Sequence, residues 1–138
     1  MFHDDLVTQL EDDDVGTFGV NIFLHARARI PMLPLGSATC EITATGGTAP
    51  EHTQNATIYP AYLKPTCQLA FRADAPEEAL EMADAAFQSV VKVRNMFIGS
   101  GWYRSVKCLQ SEPIDLGVDD RGQSKFSFNV LGDYNRRS

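Results

Sequence analysis

Histidine occurs at only three positions in this 138-residue chain, His3, His25 and His52. None stands at a metal-ligand spacing from a cysteine, an aspartate or another histidine, so no metal motif can be built from them. Cysteine is as scarce. Cys40, Cys67 and Cys108 are odd in number, far apart and each in a strand-like stretch. That excludes a disulfide framework and points to buried free thiols. A Cys–His nucleophile would need a thiolate, which apolar strand faces disfavour. Basic residues are few, 12 against 18 acidic ones, for a net charge of −6. The only basic doublet is Arg136-Arg137, so the sequence carries no ready-made face for nucleic-acid phosphates. No apolar run approaches the roughly eighteen residues of a membrane helix. The opening Phe2-His3-Asp4-Asp5 lacks the basic and apolar parts of a signal peptide, so assembly in a cytoplasm is expected. Gly46-Gly47 is followed by no Lys-Ser/Thr pair and opens no helix, which excludes a phosphate loop. No internal repeat and no catalytic or cofactor motif is present.

What is there is strong patterning. Residues 66–73 alternate, with Cys67, Leu69, Phe71 and Ala73 on one face and Gln68 and Arg72 on the other, the period of a half-buried strand. Asp74 as cap, Pro76 in the first turn and Glu77 and Glu78 at the positive end of the dipole then start a helix. Leu80, Ala83, Phe87, Val90, Arg94 and Phe97 carry its apolar stripe until Gly99, giving a helix about 33 Å long that spans a small sheet. A short amphipathic helix is expected over 2–11, with Phe2, Leu6, Val7 and Leu10 inward. Further strands are expected from Phe18 to Ile30, from Ala38 to Thr45, over 102–109 and over 123–130. Residues 112–117 read as an extended crossing, and Asp119-Asp120-Arg121-Gly122 as a turn. The expected architecture is therefore α+β: a two-layer sandwich in which a mainly antiparallel sheet is covered by one long helix, with a short N-terminal helix beside it. Residues 1–132 form the single domain and 133–138 a polar tail.

Three groups of residues are candidates for contact with partners. The aperiodic stretch 46–62, with Gly46, Gly47, Thr48, His52, Tyr59 and Tyr62, is too long for a bland loop in a small domain. It is the expected contact with a neighbouring protein. Arg27 and Arg29 lie on the polar face of their strand, where they either bind an acidic partner or are solvated; with Arg94, placed on the edge of the long helix, they are the candidate subunit interface. Glu11-Asp12-Asp13-Asp14 opposes a helix dipole, and Asp12, Asp13 and Asp14 are expected to face open water or a channel bore.

The order of Arg94-Asn95, Trp102-Tyr103, Pro113-Ile114-Asp115-Leu116-Gly117-Val118-Asp119, Gly122 and Phe126-Ser127-Phe128-Asn129-Val130 resembles the tail terminator proteins of long-tailed bacteriophages. These are also called minor capsid or head–tail joining proteins. Gly19-Val20-Asn21-Ile22-Phe23, Thr45-Gly46-Gly47-Thr48-Ala49-Pro50 and the strand-to-helix passage from Phe71 to Val91 fit the same pattern. The resemblance covers most of residues 15–131 and rests on turns and strands. It implies a subunit with no catalytic residues, cofactor or metal, which forms a ring, usually a hexamer, at the head–tail junction of a virion. Its implied partners are further copies, the tail tube protein and the head connector or stopper, with DNA passing through unbound. Another neck or tail-tube component is the alternative, followed by a small cytoplasmic ligand-binding domain or enzyme.

Overall fold

Alternating burial builds the middle of the sheet. In β3 (Tyr62–Ala73) the side chains of Cys67, Leu69, Phe71 and Ala73 are buried and those between them are half-exposed, as the period of two requires. In β7 (Ser124–Arg136) Phe126, Phe128, Val130 and Tyr134 point the same way, and Gly132 leaves room for the Phe2 ring. The two strands pair antiparallel with Phe71 opposite Phe126 and Leu69 opposite Phe128. The Phe71 and Phe128 rings stack 5.6 Å apart. Each is fully buried, worth roughly 1.5–3 kcal/mol relative to exposure.

The computed structural model describes residues 2–24, 38–51, 62–99, 101–120 and 122–136. Before β3 come α1 (Phe2–Asp12), β1 (Ile22–Leu24) and β2 (Thr39–Glu51); between β3 and β7 come α2 (Pro76–Val91), β4 (Arg94–Ile98), β5 (Gly101–Cys108) and β6 (Ile114–Val118). The strand order is β1-β2-β3-β7-β5-β4, and β6 pairs with β7 beyond the end of β5. β1 lies parallel to β2 and the other pairs are antiparallel.

This corrects the expected two-layer α+β sandwich under one long helix. The molecule is mostly β, with 53% of the described residues in strands, and its mixed sheet curls into a half-barrel beside two short helices. α2 stops at Val91, and Lys92 caps it by donating its N–H to Val90 O. Val90, Val91 and Val93 are β-branched and weaken a helix. Arg94, Met96 and Ile98 then run as β4 beside β5, with Asn95 at φ 48°. The stripe through Arg94 and Phe97 fitted a helix by coincidence of spacing. α1 takes over the missing cover, burying Phe2, Leu6, Val7 and Leu10 in the same core as Ala79, Ala83, Ala86 and Val90 of α2. The cap differs too. Ala75 is the N-cap of α2 without a side-chain bond, while Asp74 accepts from Gln123 Nε2 at 3.3 Å.

Three boundaries also move. The strand expected from Phe18 begins at Ile22, because Thr17 O accepts the N–H groups of Val20, Asn21 and Ile22 and Gly19 sits at φ +84°. The strand expected to end at Thr45 continues to Glu51. The polar tail expected from 133 is strand as far as Arg136, with Tyr134 buried against Tyr103, ring centroids 4.8 Å apart.

Candidate assembly surfaces

Gly46, Gly47 and Thr48, expected in a contact loop, are paired strand residues: Gly46 opposite Thr66, Gly47 opposite Pro65 and Thr48 opposite Lys64. The register slips between Ala44 and Gly46, and Gly46 and Gly47 take φ of +98° and +134°. A Cβ on Gly47 would meet the Lys64 carbonyl and come within 2.7 Å of Pro65 Cα. The pair of glycines therefore marks a β-bulge where two backbones approach closely. His52 and Tyr59 lie outside the described residues, as do Arg27 and Arg29.

Tyr62 is held within the subunit. The Arg104 guanidinium sits 3.7 Å over its ring centre. Arg104 also donates to Asp133 Oδ1 from Nη2 at 2.9 Å and from Nε at 3.2 Å, and Lys64 Nζ lies 3.8 Å from Asp133 Oδ2. These residues join β3, β7 and β5. Sequence reasoning missed Asp133 and Arg104, yet the signal was present: Phe126, Phe128, Val130 and Tyr134 carry one alternation past the expected end.

Of the acidic cluster, Asp12 and Asp14 are exposed. Asp13 is not left to water and pairs with a base in its own subunit, contrary to expectation. Lys92 Nζ lies 2.7 Å from Asp13 Oδ2, which also accepts from Ser89 Oγ at 2.6 Å and Gln9 Nε2 at 3.2 Å. Lys92 and then Ser89 hold the Asp13 carboxyl below its ordinary value, against a smaller upward push from burial. The bonds fasten the end of α1 to the end of α2.

Three grooves among the described residues run along α2, of which the smallest, about 490 Å³, lies by the Asp13–Lys92 pair. The other two flank the helix. One, of about 540 Å³, is lined by Asp14, Val15, Asn21, Glu78, Glu81 and Met82. The other, of about 500 Å³, is lined by Phe87, Val91, Arg94, Arg104, Lys107 and Gln110. Arg94, expected on a helix edge, is therefore an exposed strand residue on the rim of a groove. Beside the first groove Phe18 and Val20 are 51% and 65% exposed; beyond the second, Leu109, Ile114, Leu116 and Val118 range from 41% to 67%. Every residue of β6 is exposed.

None of the three thiols is activated. Burial pushes the Cys67 thiol up to about 12 and the Cys108 thiol up to about 11, and Cys40 is raised further by burial and by the charge of Glu41. These thiols are poor nucleophiles at neutral pH. Among the described residues no three of His, Cys, Asp and Glu stand together as a metal site, and no helix is long and apolar enough to cross a membrane.

The fold is one of known type. Six chains of solved structures match it. One belongs to the virion of a native gene transfer agent particle: it aligns over 85% of this chain and 80% of its own length, with a TM-score of 0.58 and 12% identity. No protein-family model matches the sequence, and no curated protein matches it as a relative.

Proposed function

We propose that this chain is a structural protein of a phage-like virion and, within that class, a tail terminator. A ring of its copies would cap the finished tail tube and dock it to the head connector or stopper at the head–tail junction. The observation that carries the reading is the fold shared with a chain of a gene transfer agent virion over most of both lengths. The distribution of its surface supports it: pairs of charges tie the elements of one subunit together, while exposed apolar side chains are left at the sheet margins. The net charge of −6 suits a ring whose bore passes DNA without holding it. The finer choice of terminator over another neck or tube component comes from the order of turns and strands described for residues 15–131.

The deciding experiment adds the purified protein to tail tube subunits that are elongating in vitro. A terminator arrests growth at a ratio of one ring per tube and appears by electron microscopy at one tube end. Tubes that incorporate the protein along their length would identify a tube component instead. Tubes that grow on unaffected, with no protein at their ends, would overturn the proposal.

A further inference from the structure

The two grooves lie on opposite flanks of α2 and are opposite in charge. Glu78, Glu81 and Ala85 turn to one side; Phe87 and Val91 fall roughly 120–140° around the axis at 3.6 residues per turn. On the first flank Asp14, Glu78 and Glu81 are all exposed, and none makes a side-chain hydrogen bond or ion pair among the described residues. On the second, Arg94 and Lys107 are likewise exposed without such a partner. Among the described residues, the only charge in either groove already engaged is Arg104, through Asp133.

Apolar exposure follows the same division. Phe18 and Val20 stand beside the acidic groove, and Leu109, Ile114, Leu116 and Val118 continue from the basic one. Of the large exposed apolar side chains among the described residues, only Leu80 and Phe97 lie outside these two stretches. The second stretch includes a strand edge as well. β6 pairs with β7 along one side, and among the described residues no strand covers its other side. An open edge with an apolar stripe is a template for pairing with another chain.

We infer that these flanks are the two halves of one head-to-tail contact between copies of this chain, with the acidic flank of each copy seated on the basic, β6-bearing flank of the next. A two-fold contact through either flank alone would set that flank against itself and bring like charges together, whereas a head-to-tail contact brings unlike charges together. A contact of the latter kind, repeated, closes a ring when its rotation permits. The inference deepens the ring reading proposed above and rests on it only in taking the partner to be a second copy.

The test uses two charge-reversed proteins, Glu78→Lys/Glu81→Lys and Arg94→Glu/Lys107→Glu, with native mass spectrometry and sedimentation as readouts and circular dichroism to check folding. The wild type assembles, and less so as salt rises. Each variant alone has two like-charged flanks and stays monomeric. Their mixture regains assembly in species that hold both variants in equal amounts, because each reversed flank then meets its complement. Leu116→Ser, on a fully exposed strand, supplies a variant that leaves the fold and the charges alone, and should weaken assembly at least tenfold. Rings that form unchanged by both reversals would overturn this inference and leave the ring reading standing. So would variants that dissociate singly and are not rescued on mixing. A wild type that is monomeric at every concentration would overturn both.

Discussion

Tyr103 donates its phenolic proton to Asp5 Oδ2 across 2.6 Å, joining α1 to β5 over 98 residues of sequence. Tyr103 is fully buried and its ring stacks on Tyr134, so the hydroxyl has little freedom to find another acceptor. The neighbourhood is tight: a Cβ on Gly101 would come within 3.0 Å of the Tyr134 ring and 3.1 Å of the Tyr103 ring. Tyr103→Phe keeps the stack and removes one bond to a carboxylate. Urea unfolding should show a loss of about 1.5–3 kcal/mol, the usual range for a hydrogen bond to a charged group. An unchanged midpoint would mean that Asp5 finds an equivalent donor.

Asp13 makes stability depend on acidity. Its carboxyl is held below the ordinary 3.8 when folded, chiefly by Lys92 and Ser89. A depressed folded value contributes stability that is fully present above the unfolded value and is lost as pH falls through the folded one. Asp13→Asn should therefore cost roughly 1 kcal/mol at pH 7. The gap between variant and wild type should close as pH is lowered through and below 3.8. A gap that stays constant between pH 7 and pH 3 would show that the carboxylate charge contributes nothing.

Gly47 is required by its backbone. Its φ of +134° is one that residues with a side chain rarely adopt, and an added methyl would press on the Lys64 carbonyl. Gly47→Ala should destabilise the fold by about 1–3 kcal/mol, whereas Gly46→Ala, strained but with open space around it, should lose less. Thermal melts of the two variants read the difference. Equal losses would mean that the strand pair shifts to make room.

Much of the sheet was legible because one face is buried and the other wet, and alternation then writes the face of each residue into its position. Cys67, Leu69, Phe71 and Ala73 gave β3, and Phe126, Phe128 and Val130 gave the first half of β7. α1 was legible from Phe2, Leu6, Val7 and Leu10. The end of α2 was not, because Arg94 and Phe97 satisfy a helical period while Arg94, Met96 and Ile98 satisfy a strand period, and only pairing with β5 decides between them. The glycines at 46 and 47 looked like a loop since a bulge and a loop use the same residue. The two charged flanks of α2 had no local signal. Asp14 joins Glu78 and Glu81, and Arg94 joins Lys107, only after the chain has folded. Asp13, in the middle of an acidic run, looked solvated for the same reason: Lys92 lies 79 positions away.

β7 has neighbours on both sides, β3 along one and β5 with β6 along the other. It is synthesised after every one of them, so the middle of the sheet stays open until residues 124–136 have left the ribosome. The pairs that close it, such as Leu63 with Tyr134, span most of the described chain, and contacts of that range form slowly. A chain interrupted before β7 has nothing to hold β6 or the end of β5, and so never displays the flank that carries Lys107 and Leu116. Such a fragment has only the first of the two flanks of α2, and the order of synthesis thereby makes the second flank a mark of the finished subunit.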